Sequence, residues 1–430
     1  MNLFDLSLRI KGFDIDAARE KLAEIKSQDP AIFQAQQKLE IVKFHLENNT
    51  FYHKLAANAD PEDWENLPIL TKADLQQPLA NKLSSGFAPK NTHVHKTSGS
   101  SGHPFIFAKD KFCHALSWAS AFAMYAEVGL DLKNSLEARF YGIPATGIAN
   151  KKERLKDTLS NRWRFPIFDL SDKNLAGFVA AFRRKKYGHI NGYTSSIVAF
   201  AKYLKQQNLI LKEICPTLTH CIVTAEVLFE DDRALLEKQL GIPVYNEYGA
   251  SELNIIAMAS AGKPLKIDRP LLFVEVLDEE NKPVEEGKIG KIVVTSLFNK
   301  AHPFIRYEIG DLGSVITKNG AQYITKLEGR TSDFAVLPSG KKIPGLAFYY
   351  LTKEVINDSG LVKEFVITQT GVDTFKIEYV ADADFDDLAT AKISNALEKY
   401  AESGLQLVFK RKENLDRSKR GKLKQFTSLL

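Results

Sequence analysis

The sequence contains few cysteines and no long hydrophobic run. Only three cysteines, Cys113, Cys215 and Cys221, occur in 430 residues. They are too few for a disulfide framework, and their odd number favours a reducing compartment. No apolar stretch approaches the ~18 residues that a membrane-spanning helix needs, and acidic residues interrupt the N-terminal stretch where a signal peptide would be apolar. We therefore expect a cytoplasmic protein without a membrane span.

Internal repeats and low-complexity tracts are also absent. Hydrophobic residues make up 44% and charged residues 26% of the chain, which is ordinary for a globular protein and excludes disorder or coiled coil as the main architecture. At about 150 residues per domain, this length indicates two or three domains.

The excess of positive charge is confined to one end of the chain. The formal net charge is +5, but residues 410–424 hold eight Lys or Arg and only two Asp or Glu, so the remainder sums to −1. A nucleic-acid binder is disfavoured, because counterion release needs a broad basic surface. The basic segment is either a solvated tail or a cationic arm for a phosphate-bearing ligand, and charge alone leaves both open.

The hydrophobic pattern predicts an α/β fold with a second, smaller α+β unit. Apolar residues recur near every 3.6 positions within residues 1–85, including TKADLQQPLANKL at 71–83, which predicts a helical lead-in. Beyond Lys109, helical and strand-like segments alternate, which predicts mainly parallel sheets covered by helices. A period of two from about 272 to 333 predicts an antiparallel β-rich subdomain. We predict a large domain over 1–333 and a small, mobile C-terminal domain over 334–430.

A run of small hydroxyl residues and glycine follows Lys96. Such a run leaves backbone N–H groups and hydroxyls free to surround an anion, although it equally suits a flexible linker. It is not a Walker loop, because no Lys-Ser/Thr pair follows its second glycine. The candidate phosphate-binding residues are Thr97, Ser98, Gly99, Ser100, Ser101 and Gly102.

A second candidate segment, Tyr245 to Glu252, directly follows a strand-like stretch. The carboxyl ends of strands are where α/β sheets place ligand sites. Glu252 could hold a hard divalent ion through oxygen, and Ser251 could donate to a phosphate. The alternative is a plain turn with an exposed glutamate.

Three further segments carry an Arg, Asp or Lys beside glycine: 306–311, 329–333 and 417–422. An aspartate accepts hydrogen bonds from ribose hydroxyls, and an arginine such as Arg306 or Arg330 can reach a hydroxyl or a phosphate. Turns that close hairpins have the same composition, so each segment alone is ambiguous.

Together, and in this order, the five segments resemble the signature of the adenylate-forming enzymes, which include acyl-CoA synthetases, luciferases and peptide-synthetase adenylation domains. The stretch from Leu67 to Leu75, LPILTKADL, is similar to the phenylacetate-CoA ligase branch, including the related capsule-biosynthesis proteins. The resemblance runs from about residue 40 to the end of the chain.

The resemblance implies a two-step reaction with ATP, Mg²⁺ and coenzyme A. A small carboxylic acid would form an acyl-AMP, and the coenzyme A thiol would then displace AMP. The implied catalytic residues are Lys422, Glu252 and Ser251, with Glu252 also the Mg²⁺ ligand and Asp333 the hinge of the small domain. The implied nucleotide-binding residues are the Thr97–Gly102 run, Ala225, Glu226, Tyr248, Gly249, Asp311 and Arg330.

Two residues depart from the pattern of these enzymes. His103 stands where the phosphate loop usually has lysine, so one cationic contact to pyrophosphate becomes pH-dependent. Thr224 replaces a glycine that commonly begins the adenine-contacting turn. Both departures concern ATP binding and leave the reaction class unchanged.

Several alternatives remain at this point. The acyl group could pass to a carrier-protein thiol, or to an amine in polysaccharide biosynthesis. A nucleotide-binding scaffold without chemistry is disfavoured, because Lys422 and Glu252 are both present. The resemblance also admits a homodimer and does not identify the acid.

Overall fold

A computed structural model describes residues 3–97, 105–132, 134–143, 147–259, 262–330, 334–345, 348–349, 352, 362–418 and 421–430. The predicted phosphate run beyond Thr97, His103 and the hinge residue Asp333 therefore lie outside the described residues. No described helix is both long enough and apolar enough to cross a bilayer.

Four helices open the chain: α1 (Leu3–Ile10), α2 (Ile15–Lys26), α3 (Pro30–Asn48) and α4 (Thr50–Leu55). Side chains of Asp14, Asp29 and Asn49 accept N–H groups at the starts of α2, α3 and α4, which satisfies donors that a helix leaves unpaired.

The helical lead-in is shorter than predicted, because residues 56–85 form turns and two short 3-10 segments. Within 71–83, the Asp74 carboxylate accepts from the Thr71 N–H and hydroxyl, and Pro78 cannot lie inside a helix. The prediction of a helix over 71–83 was wrong for these two reasons.

The predicted alternation beyond Lys109 is confirmed. Parallel pairing joins β3 (Glu137–Phe140), β4 (Arg162–Phe165), β5 (His189–Tyr193), β6 (His220–Thr224) and the start of β7 (Val244–Ala250). Helix α5 (Lys111–Glu127) precedes β3, and the helices between these strands are α6 (Gly147–Leu159), α7 (Asp172–Arg184), α8 (Thr194–Gln206), α9 (Leu211–Ile214) and α10 (Glu230–Leu240). The chain is thus an α/β protein, as expected.

The two faces of this parallel part differ in polarity. Ala138, Phe140, Ile190 and Val223 on one face are buried in a core with residues of α7 and α8, such as Phe178. The residues between them in the strands lie on the other face, and that face carries charged and amide side chains. The polar face forms a wall of the candidate site.

The β-rich segment joins the same sheet and does not form a separate one. Among the described residues, eleven strands pair in the order β10-β11-β12-β13-β9-β8-β7-β6-β5-β3-β4. The added strands are β8 (Asn254–Ala259), β9 (Leu265–Ile267), β10 (Leu272–Leu277), β11 (Gly290–Ser296), β12 (Tyr307–Lys318) and β13 (Ala321–Arg330). They pair antiparallel, as the period of two predicts. A small hairpin, β1 (His93–Lys96) with β2 (Ile106–Lys109), flanks the serine–glycine run.

The C-terminal part has its own sheet and core. After β14 (Phe334–Val336) and β15 (Lys342–Pro344), four strands pair in the order β18-β17-β16-β19. They are β16 (Val362–Gln369), β17 (Thr374–Ala381), β18 (Gln406–Arg411) and β19 (Phe426–Ser428), with helix α11 (Asp387–Tyr400) between β17 and β18. Phe365, Phe375 and Ile377 belong to a core distinct from that of the parallel sheet. The domain division at 333/334 stays a prediction, since 331–333 are not described.

Candidate active site

A cavity of about 990 Å³ opens where the parallel strands end. This volume is at the upper end of ligand pockets, which hold about 300–1,000 Å³. Residues from both the N-terminal part and the C-terminal part line it, and they include most of the described candidates: Thr97, Ala225, Glu226, Tyr248, Gly249, Ser251, Glu252, Asp311, Arg330 and Lys422. Residues far apart in sequence thus meet in one space.

Thr97 lies at the base of the serine–glycine run. Its N–H donates to the Phe105 carbonyl at 2.9 Å, and its hydroxyl accepts from the Phe105 N–H at 3.0 Å. These two bonds join Thr97 to Phe105 at the end of the β1–β2 hairpin.

The Tyr245–Glu252 segment is strand β7 with the turn that follows it. The Tyr248 hydroxyl donates to Asp311 Oδ2 at 2.8 Å, and burial, followed by the Asp311 charge, raises the pKa of Tyr248 well above its usual value. A Cβ at Gly249 would lie 2.3 Å from the Asn254 carbonyl oxygen, so the close pairing of β7 with β8 requires glycine.

Ser251 and Glu252 have different environments in this turn. Ser251 is exposed to the cavity, whereas Glu252 is buried. The Tyr307 hydroxyl donates to Glu252 Oε1 at 3.0 Å and holds the carboxylate in place. Burial lowers the pKa of nearby Lys109 to about 8, against the opposing effect of Cys113 and Glu252. Glu252 is therefore not the exposed turn glutamate of the alternative, while its role as a metal ligand stays a prediction.

Asp311 and Arg330 face each other across strands β12 and β13. They are register partners, and Arg330 Nε lies 3.6 Å from Asp311 Oδ1. Asp311 therefore contacts Tyr248 and Arg330 together, and all three line the cavity.

Ala225 and Glu226 form the turn after β6. Ala225 has φ +66°, a left-handed conformation that a non-glycine residue rarely adopts. Glu226 Oε2 accepts from the Ser195 N–H at 2.7 Å, and Glu226 Oε1 accepts from the Leu423 N–H at 2.9 Å. Burial raises the pKa of Glu226, while the Ser195 N–H, Lys422 and Arg417 oppose that rise.

The C-terminal part contacts the N-terminal part on either side of Lys422. Arg417 pairs with Glu364 and donates to the Ser195 hydroxyl at 3.2 Å. Gly421 has φ +91°, and a Cβ there would lie 2.5 Å from Ile167 Cδ1. Glycine before Lys422 thus permits a close approach to the loop after β4.

Arg306 does not take part in the cavity, contrary to the reading of its segment as a hydroxyl or phosphate contact. It is 1% exposed and donates to the carbonyls of Trp64, Glu65 and Leu67. It also lies 3.4 Å from Glu275. Its guanidinium therefore fixes the loop before β1 and is not available to a ligand.

Other cavity residues were not among the candidates from the sequence. Tyr125 of α5 donates a short hydrogen bond to Glu247 of β7, and Thr224 donates to the same carboxylate at 3.0 Å. Arg139 of β3 also lines the cavity. The sequence could have indicated these residues, because charged or amide side chains occur at alternate positions of strands that are expected to be apolar on both faces.

The residues fit a Mg²⁺ ion shared with phosphates better than a metal held by protein alone. No cluster of three or more His, Cys, Asp or Glu suited to a metal occurs in the described part of the chain. Mg²⁺ commonly binds through one or two carboxylates together with substrate phosphates. Glu252, buried at the cavity wall with one oxygen bound to Tyr307, matches such a donor.

Known proteins with related sequences are phenylacetate-coenzyme A ligases. The chain is 26% identical to the enzyme of Thermus thermophilus over 294 residues, 63% of this chain and 62% of that ligase. It is 30% identical to the Pseudomonas putida enzyme over 124 residues, 27% of this chain and 28% of that ligase. The chain thus spans less than two thirds of the length of the curated relatives it matches. No protein-family model matches it.

Solved structures extend the likeness over nearly the whole chain. A 2-hydroxyisobutyryl-CoA ligase in the postadenylation state, in complex with 2-HIB-AMP, matches with a TM-score of 0.68 at 18% identity, covering 93% of this chain and 89% of that one. The same ligase in the thioesterification state gives a TM-score of 0.57 at 17% identity, covering 94% and 90%.

The sequence matches and the fold agree with the resemblance drawn from the motifs, while a relation to capsule-biosynthesis proteins stays a prediction. The chain is similar in sequence to phenylacetate-coenzyme A ligases and shares the fold of the 2-hydroxyisobutyryl-CoA ligase.

Proposed function

We propose that this protein activates a small carboxylic acid with ATP and transfers the acyl group to the thiol of coenzyme A. One observation carries the proposal. Lys422, from the C-terminal part, lines the same cavity as Tyr248, Asp311 and Glu252 from the N-terminal part. A cation and two carboxylates thus line one space, which supports their proposed roles as the cationic bridge, the ribose acceptor and the metal ligand of an adenylation site.

In the first step, a carboxylate oxygen attacks the α-phosphorus of ATP, and the bond to pyrophosphate breaks. A carboxylic acid is already ionised near pH 7, so this step needs no general base. It needs alignment and neutralisation of charge. Lys422 would bridge the carboxylate and the α-phosphate, and Ser251 would donate to that phosphate.

The nucleotide would lie in the part of the cavity that Tyr248, Asp311 and Arg330 line. Tyr248, with Gly249 behind it, would stack on adenine beside the Ala225–Glu226 turn. Asp311 would accept from the ribose hydroxyls, with the Arg330 guanidinium beside it. Thr97 and the residues of 98–102 would hold the β- and γ-phosphates. Glu252 would hold Mg²⁺, which screens the triphosphate charge.

In the second step, the thiol sulfur attacks the acyl carbonyl carbon and AMP leaves. Lys422 would have to move away, with Asp333 as the hinge, because the thiol needs access to the carbonyl carbon. The higher TM-score to the postadenylation state than to the thioesterification state supports an arrangement suited to the first step.

Pyrophosphate release with a panel of carboxylic acids tests the first step. AMP release with and without coenzyme A then identifies the acceptor. We expect pyrophosphate release that depends on the acid, and AMP release that depends on coenzyme A. If pyrophosphate release depends on the acid but AMP release does not increase with coenzyme A, a carrier-protein thiol or an amine is favoured as the acceptor. Absence of acid-dependent pyrophosphate with every acid would contradict the proposal.

Two further features belong to this proposal. ATP and coenzyme A as co-substrates, together with three buried free cysteines, support a cytoplasmic enzyme. A homodimer is a prediction that light scattering of the purified protein tests.

A further inference from the structure

The cavity wall formed by the parallel strands is polar where a buried sheet is normally apolar. Strand register places Glu137 and Arg139 of β3 beside His189 and Asn191 of β5, on the face opposite Phe140 and Ile190. All four polar residues line the cavity. Parallel sheets buried on both faces usually carry apolar residues on both, so the polarity of this face requires an explanation.

These side chains form a cluster that offers both donors and acceptors. Arg139 Nη1 lies 3.6 Å from Glu137 Oε1, and the Arg139 guanidinium lies 4.4 Å from the centre of the Tyr141 ring. Tyr141 packs on Tyr193 with ring centroids 4.4 Å apart. We call Tyr125, Glu137, Arg139, Tyr141, Asn191 and Glu247 the polar cluster.

One member of the polar cluster has hydrogen-bonding capacity that the described residues do not use. Asn191 is 8% exposed and lines the cavity, and its side-chain amide makes no hydrogen bond to another described residue. Its amide faces the cavity, so a ligand that displaces water there without offering hydrogen bonds would leave the amide unsatisfied. A ligand in the cavity would satisfy it.

We propose that the acid activated by this enzyme carries hydroxyl groups beyond its carboxylate, which bind the polar cluster. This inference rests on the proposed function and names its substrate class. A hydroxyl both donates and accepts, so one kind of group satisfies the Glu247 and Glu137 carboxylates as well as Arg139 and Asn191.

Other acids suit the polar cluster less well. A second carboxylate on the substrate would face Glu137 and Glu247, and an ammonium would face Arg139. An apolar chain would leave Asn191 unsatisfied and remove water from charged groups. A site built to bind hydroxyls discriminates strongly against analogues that lack them.

Acids that differ in their polar groups separate these classes, and those with a six-carbon chain (gluconate, galactonate, hexanoate, adipate and 6-aminohexanoate) allow comparison at one chain length. Acid-dependent exchange of pyrophosphate into ATP is measured with gluconate, galactonate and quinate as hydroxylated acids, and with hexanoate, adipate, 6-aminohexanoate and phenylacetate as the others. We expect the best hydroxylated acid to exceed hexanoate in kcat/KM by about 100-fold or more.

Two variants locate the selectivity. Asn191→Leu should lower kcat/KM for the hydroxylated acid by about 10- to 100-fold, as for loss of a polar contact in a specificity site, and should leave hexanoate unchanged or better. Ile190→Val is the matched control, because it changes the same strand on the opposite face and should preserve the preference.

The outcomes distinguish the two proposals. Preference for hexanoate, phenylacetate, adipate or 6-aminohexanoate over every hydroxylated acid overturns the inference and leaves the proposed function standing. An Asn191→Leu variant that retains the full preference also overturns it. No exchange with any acid overturns both.

Discussion

Glu226 provides the sharpest test of how the two parts of the chain cooperate. Its two carboxylate oxygens accept from different parts, Oε2 from the Ser195 N–H and Oε1 from the Leu423 N–H. Leu423 is the neighbour of Lys422. Glu226→Gln retains the size of the side chain but supplies only one accepting oxygen. The amide nitrogen must then face one of the two N–H donors.

The expected magnitude follows from that geometry. The Ser195 N–H belongs to the first turn of α8 and is fixed by the helix, so the glutamine oxygen should stay with it. The bond to Leu423 is then lost. A hydrogen bond to a charged group contributes about 1.5–3 kcal/mol, so the arrangement that brings Lys422 to the cavity should become about 10- to 150-fold less favourable.

The assay compares the two half-reactions. With Glu226→Gln we expect acyl-AMP formation to slow by about 10- to 150-fold, following that shift, while supplied acyl-AMP should still react with coenzyme A at close to the normal rate. Glu230→Gln is the matched control, because its side chain is 86% exposed and it should leave both steps within about twofold. Equal slowing of both steps, or normal adenylation, would refute the reasoning.

Three other changes test separate parts of the site and the fold. Lys422→Ala should slow acyl-AMP formation by about 100-fold or more and spare the second step, whereas Lys410→Ala, also in the basic segment, should leave the rates of both steps unchanged; equal loss of both steps in Lys422→Ala would contradict this. Glu252→Gln should abolish adenylation at limiting Mg²⁺, and a normal rate there would exclude Glu252 as the ligand. Burial lowers the pKa of His45 from 6.5 to about 4. As pH falls from 6.5 to 4, His45 is therefore protonated in the unfolded chain before it is protonated in the folded one. The free energy of unfolding decreases over this range. Urea unfolding should show His45 contributing about 3 kcal/mol to this loss, and a His45→Gln variant with an equal pH slope would contradict it.

Local sequence patterns predicted most of the elements that build the site. The candidate segment from Tyr245 to Glu252 was expected to follow a strand, and it instead forms most of β7 and the turn after it. The antiparallel pairing of β12 with β13 follows the period of two, and the Asn319-Gly320 pair, both with positive φ, closes that hairpin. These features depend on neighbours in sequence.

Features that depend on distant contacts could not be predicted in this way. Arg306 has the composition of a ligand-binding turn, and only the carbonyls of Trp64, Glu65 and Leu67 reveal its structural role. The polar cluster also depends on contacts between distant residues, since Tyr125, Arg139 and Glu247 come from three separate elements. That they form one cluster is visible only in the structure, where all three line the same cavity.

Isotope transfer tests the central claim, activation of the acid as acyl-AMP, most directly. The acid giving the most pyrophosphate in the panel is labelled with ¹⁸O in its carboxylate, and the enzyme converts it with ATP and coenzyme A. Because a carboxylate oxygen attacks the α-phosphorus and stays there when the thiol displaces AMP, mass spectrometry should find one ¹⁸O in AMP and none in pyrophosphate. Unlabelled AMP, or label in pyrophosphate or phosphate, would contradict the account.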